Sequence, residues 1–105
     1  MKRARLADMV GGWFIGNFEP SVLRTGDFEV GIKRYKAGDV DVAHYHRIAT
    51  EITVVVSGEV EMLGEPCSAG DILTVEPGEV NQFRAITDAV LAVVKTPSVA
   101  DDKFQ

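Results

Sequence analysis

The sequence predicts an all-β fold in a single domain, and three observations carry that reading. Short apolar runs recur along the chain, each closed by glycine, proline or aspartate, as at Gly11-Gly12, Gly26-Asp27, Gly38-Asp39, Ser57-Gly58, Gly70-Asp71 and Pro77-Gly78. Turn signals at this spacing mark a sandwich or a barrel. The runs at 52–56, 72–75 and 90–94 are dense in β-branched residues, which suit a pleated, half-buried surface. No window carries an apolar stripe at helical spacing over a useful length.

Taken in order, residues 1–10 read as an N-terminal extension, either a short helix or a loose strand. Phe28, Val30 and Ile32 alternate with Glu29, Gly31 and Lys33, the period of a strand. The runs at 52–56 and 90–94 are apolar on both faces, whereas a strand on the rim of a small sandwich is polar outside. That excess needs cover, from Trp13-Phe14-Ile15 or from a second subunit, and a homodimer packed sheet against sheet is the expectation. Residues 98–105 read as a polar C-terminal tail, with Asp101 and Asp102 expected to be disordered.

The 105 residues suit one domain spanning 1–105. A chain of this size buries roughly 65% of its unfolded surface, enough for a core without disulfide staples. A net charge of −5 disfavours phosphate backbones and anionic membranes, so neither nucleic acid nor membrane is an expected partner. Lys2, Arg3 and Arg5 read as a solvated terminus. The single cysteine, Cys67, permits no internal disulfide and reads as a small buried hydrophobe. With no apolar signal segment near the start and no run long enough to span a bilayer, the expected location is the cytoplasm.

Strand periodicity leads to chemistry at one place. In Val40-Asp41-Val42-Ala43-His44-Tyr45-His46, a regular strand puts 40, 42, 44 and 46 on one face. The two valines predict that this face points inward. Two imidazoles at alternate positions can converge on one ion. Glu51 shares a face with Thr53 and Val55, and an antiparallel pairing of the two strands would stand it beside the histidines. A carboxylate among valines is costly unless it is paired or ligated, and two histidines with a carboxylate make a three-point site for a divalent transition metal.

Gly38, His44, His46, Glu51 and Gly58 match, at every spacing, the first motif of the cupin superfamily: glycine, five residues, His-x-His, four residues, glutamate, six residues, glycine. Gly70-Asp71, Pro77-Gly78 and Asn81 are the counterpart of the second motif. The chain therefore resembles a small single-domain cupin. That resemblance implies a jelly-roll barrel (double-stranded β-helix) with a site in its mouth. It also implies a divalent metal (zinc, iron, manganese, nickel or copper) on His44, His46 and Glu51. The second motif departs from the family pattern: Asn81 stands where the last histidine ligand is expected, Glu76 replaces a proline, and the terminal asparagine falls on Ala85. An amide oxygen is a weaker ligand than imidazole for these metals, so Asn81 is either a fourth ligand or a hydrogen-bond donor to substrate.

Three functions remain open at this level. The site serves a metal-dependent enzyme of dioxygenase, isomerase or decarboxylase type. Alternatively, it serves a metal-free sugar isomerase or epimerase, with His44 or His46 as general base beside Tyr35. Thirdly, the barrel is a non-catalytic module for a small polar ligand. Tyr35, Tyr45, Lys33, Lys95 and Arg84 are candidates to line a pocket for an anionic or sugar ligand, although each taken alone reads as an exposed or snorkelling side chain. Trp13 and Phe14 read as packing residues.

Overall fold

The computed structural model describes residues 1–105 as ten strands in two facing sheets. The strands are β1 (Trp13–Gly16), β2 (Leu23–Arg24), β3 (Glu29–Tyr35), β4 (Val40–Tyr45), β5 (Thr50–Ser57), β6 (Glu59–Met62), β7 (Glu65–Ser68), β8 (Ile72–Val75), β9 (Val80–Ala85) and β10 (Ala89–Thr96). One sheet runs β2-β1-β3-β10-β5-β8 and the other β4-β9-β6-β7. This is the jelly-roll barrel expected from the sequence. The N-terminal extension forms two single turns of 3-10 helix, Leu6–Asp8 and Val10–Gly12. No helix is long and apolar enough to cross a membrane.

Strand alternation fills the barrel. Val55, Leu91 and Val93 from the larger sheet meet Val60, Met62, Phe83 and Ala85 from the smaller one. Cys67 is buried in this cluster, where burial, with Asp71 and Glu65 nearby, pushes its thiol pKa up. It is an inert core residue. Two motif glycines have backbone reasons. Gly38 adopts φ +91° in the turn before β4. Gly58 adopts φ +87°, and a Cβ there would stand 2.2 Å from the Asp88 carbonyl oxygen, so no side chain fits between β5 and the β9–β10 turn.

In β3 the polar set of the alternation is the inward one. Gly31 is paired with Val93 and Lys33 with Leu91, both of which face the core. Trp13 from β1 lies over Gly31, where an added Cβ would come within 2.7 Å of the indole. Trp13 thus packs on the interior side and does not cover the outer face of β5 and β10.

The tail expectation is corrected. Asp102 is buried, and its carboxylate accepts hydrogen bonds from the backbone N–H groups of Arg47 (2.9 Å), Ile48 (3.2 Å) and Ala49 (2.9 Å). Tyr45 and Phe104 exchange backbone hydrogen bonds of 2.8 and 2.9 Å. The Arg47 guanidinium stands 3.9 Å from the Phe104 ring centroid. A polar composition alone gives no sign of this, because the partners are main-chain donors about fifty residues away.

Candidate functional site in the barrel mouth

His44 is the penultimate residue of β4 and His46 is the first residue after the strand; both are buried. The sequence argument reached this outcome by a premise the structure overturns. Val40 and Val42 are 63% and 59% exposed. The pairing of β4 with β9 shifts register between Asp41 and His44, and this irregularity, a β-bulge in effect, changes which parity faces inward. Asp41 accordingly lines the barrel cavity along with His44 and His46. The placement of Glu51 is also corrected. Its strand β5 pairs with β10 and β8 in the larger sheet, whereas β4 lies in the smaller one. Glu51 faces the histidines across the barrel and not from an adjacent strand.

Asn81 is directly paired with His44 on β9. It is buried, and its Nδ2 donates to Glu51 Oε2 at 3.0 Å, a bond that ties the two sheets together at the site. The Pro77-Gly78 turn contributes through its backbone: Gly78 N–H donates to the His46 carbonyl at 2.7 Å. Asp102 holds the other side of the same loop.

The imidazoles stand edge to face, with ring centroids 5.2 Å apart. His44 Nδ1 lies 3.0 Å from the Val42 carbonyl. A carbonyl only accepts, so Nδ1 carries the proton and Nε2 keeps its lone pair. Neither ring nitrogen of His46 has a hydrogen-bond partner among the protein's groups, and both are buried. Burial, with the Lys95 ammonium and His44 nearby, lowers the His46 pKa to about 4. Burial pushes the Glu51 carboxyl up, against the pull of Lys95, His44 and the Asn81 amide. As the side chains stand, no three histidine, cysteine or carboxylate groups form a cluster that could hold a metal ion. The donor chemistry still fits a borderline divalent ion: two imidazoles and one carboxylate.

Of the wider candidates, Lys33, Tyr35 and Lys95 line the cavity, and Tyr45 and Arg84 do not. Tyr35 donates to Asp41 Oδ2 at 3.1 Å. Its burial and the Asp41 charge push the phenol pKa up, so it acts as a fixed neutral donor. Arg84 pairs with Glu61 at the surface at 2.8 Å. Sequence reasoning missed Asp41, because regular alternation placed it outside, and Lys103, because it lies in the tail. The cavity holds about 1140 Å³, and residues 4–7 of the N-terminal extension contribute to its rim.

The opposed shifts of His46 and Glu51 set a pH response in the metal-free protein. His46 binds a proton in the unfolded chain below pH 6.5 but in the folded one only near pH 4. Its contribution to stability is therefore lost as pH falls through that window, by about 2 kcal/mol after allowance for solvent screening. Glu51 works the other way: its raised folded pKa gives a contribution present at low pH and lost as pH rises above 4.5. Glu51→Gln is expected to remove the counter-slope, so that urea midpoints fall more steeply from pH 6.5 to 4.5. An identical slope in the variant contradicts this balance.

No family model matches the sequence, and no curated protein does. Solved structures do. A conserved protein with a double-stranded β-helix domain from Klebsiella pneumoniae is 27% identical over 73% of this chain and 69% of its own, with a TM-score of 0.67. KdgF from Halomonas sp. is 26% identical over 73% of this chain and 74% of its own, at 0.66. A sugar phosphate isomerase of the cupin superfamily from Silicibacter pomeroyi is 28% identical over 67% of this chain, which spans half of that protein, at 0.62. The five-position spacing of the first motif and the double-stranded β-helix shared with these structures agree, and both support a likeness to the cupin superfamily.

Proposed function

We propose that the barrel mouth is a metal-assisted site for a small polar molecule, with a divalent transition metal held by His44, His46 and Glu51 and with Asn81 beside them. The observation that carries the reading is His46, whose two buried ring nitrogens lack any protein partner. A buried polar group left unpaired costs about 1–3 kcal/mol, a cost that ligation removes. A bound ion would supply Lewis acidity toward a substrate oxygen. The chain's own residues do the rest. The Val42 carbonyl fixes the His44 ring, the Asn81 amide orients Glu51, and Asp102 with Gly78 holds the loop that carries His46. Isomerisation is the reaction type favoured by the description of the Silicibacter pomeroyi neighbour.

Elemental analysis of untagged protein tests the reading. Near-stoichiometric metal, abolished by His44→Ala, is the expected result. No binding after reconstitution at neutral pH defeats it. Affinity should also collapse as the medium acidifies, since protonated imidazole cannot coordinate.

A metal-free reading has one observation in its favour: the Asn81 amide engages a Glu51 oxygen in the absence of any three-group cluster. His44, with its free Nε2, would then be the general base. Turnover that survives exhaustive chelation would favour it.

The same proposal includes a homodimer. Ile52, Val54 and Val56 on β5 and Val90, Ala92 and Val94 on β10 alternate with the buried core residues and so face outward. They form an uncharged strip that the Trp13 segment leaves open. A flat apolar strip can pair with its own copy about a two-fold axis. Sedimentation should give twice the 11.4 kDa chain mass, and Val54→Glu should give the monomer. A monomeric parent protein at micromolar concentration would refute the dimer.

A further inference from the structure

The chain carries a net charge of −5, yet its cavity is lined by five cationic side chains against three carboxylates. Two of the cations are built into the interior face of the larger sheet. Lys33 on β3 and Lys95 on β10 flank Trp13, with their ammonium groups 5.7 and 5.1 Å from its ring. Neither has a close carboxylate partner. Lys33 Nζ donates to the Gly11 carbonyl at 2.9 Å. Lys95 reaches Glu29 Oε2 only at 3.8 Å, and the other oxygen of that carboxylate accepts from Ser98. Glu51 lies directly across from Lys95 in the β5–β10 register, but it takes the Asn81 amide as its close partner. A half-buried ammonium without a matched counter-charge is costly. Burial, with Lys103 and Lys95 nearby, lowers the Lys33 pKa against the pull of the Asp41 carboxylate, and the Lys95 charge is felt at both His46 and Glu51.

We infer that the cavity takes a small organic anion, a carboxylate or a phosphate, whose charged head lies between Lys33 and Lys95 beside the Trp13 indole. The rest of the molecule extends toward His44, His46 and Asn81. The inference names the substrate class of the site proposed above and rests on that reading only for the orientation of the bound molecule. An anion would give both ammonium groups the close charge-assisted hydrogen bonds that Glu29, at 3.8 Å from Lys95, does not make. The indole offers a flat apolar wall between them. A neutral molecule of the same shape would leave both charges as they are.

Calorimetric titration of chelator-treated protein with malonate, its neutral isostere malonamide and inorganic phosphate tests this. Because no metal is needed for anion capture, the result stands or falls separately from the metal content. Binding of malonate, phosphate or both, with malonamide silent, is expected. Which of the two binds tells a carboxylate from a phosphate source. Lys33→Met and Lys95→Met should each weaken binding about tenfold to a hundredfold, Lys95→Arg should retain it, and Arg84→Met, an equal charge loss at the surface, should leave it unchanged. Equal binding of malonate and malonamide, no binding of either anion, or binding indifferent to both lysine variants overturns the inference. The isostere comparison needs only the unaltered protein, so it decides even where a variant fails to fold.

Discussion

Asp102→Ala is expected to lower the unfolding free energy by about 2–4 kcal/mol, a drop of roughly 10–20 °C in Tm for a domain of this size. The carboxylate serves three consecutive main-chain donors at once, and one of them, on Ala49, belongs to a residue only 2% exposed. Removing it leaves the Ala49 N–H buried without a partner. It also frees the loop between His46 and β5, which sets how the histidines meet Glu51. Asp102→Asn keeps an acceptor oxygen and should recover part of the loss. Burial by itself would raise the Asp102 pKa, but the N–H groups of Ala49, Arg47 and Ile48 outweigh it and hold the carboxyl below its ordinary value of 3.8. A depressed folded pKa means that the contribution is complete above the ordinary carboxylate pKa and is lost as pH falls through the lowered one. The variant's deficit should therefore be constant near neutrality and shrink below about pH 4. A urea midpoint unchanged in Asp102→Ala would mean that the tail does not hold the loop.

The second large effect concerns metal affinity, and it rests on the proposed ligand set. Asn81→His should raise the affinity for a divalent transition metal by on the order of tenfold to a hundredfold. Position 81 is directly across from His44 on the paired strand, buried, and within hydrogen-bond distance of Glu51. The native amide directs N–H at the carboxylate and so competes with an ion for that oxygen. An imidazole there supplies a lone pair and releases Glu51. His46→Ala should have the opposite result and abolish stoichiometric binding. Competition against a chromophoric chelator measures both. An Asn81→His protein that binds no more tightly than the parent, or a His46→Ala protein that binds as well, would remove these residues from the ligand set.

Much of the site was legible because its information is local. His44, His46 and Glu51 lie within eight residues, and their spacing relative to Gly38 and Gly58 is a linear pattern. The glycines stand where left-handed backbone or a close approach demands them. Asn81 was legible through the turn that precedes it. Asp41 was not, because a bulge adds a residue to one strand without leaving a mark in a period-two reading. Lys33 and Lys95 read one at a time as surface lysines. Only the pairing of β3 with β10, residues some sixty positions apart in the chain, turns both onto the cavity side of Trp13.

Local residue patterns suffice for the class of fold, the strand-and-turn rhythm, the two histidines with their carboxylate, and the departure at Asn81 from the cupin motif that the chain otherwise resembles. Those properties follow from alternation, turn chemistry and short spacing, which are nearest-neighbour constraints on a backbone. The tertiary structure alone decided that Glu51 looks across the barrel, that Asp102 clamps the histidine loop, and that cations gather in the mouth of an acidic protein. Each of these depends on which distant segments close against each other. That choice is made by the packing of the whole barrel and by the backbone donors it leaves to be satisfied.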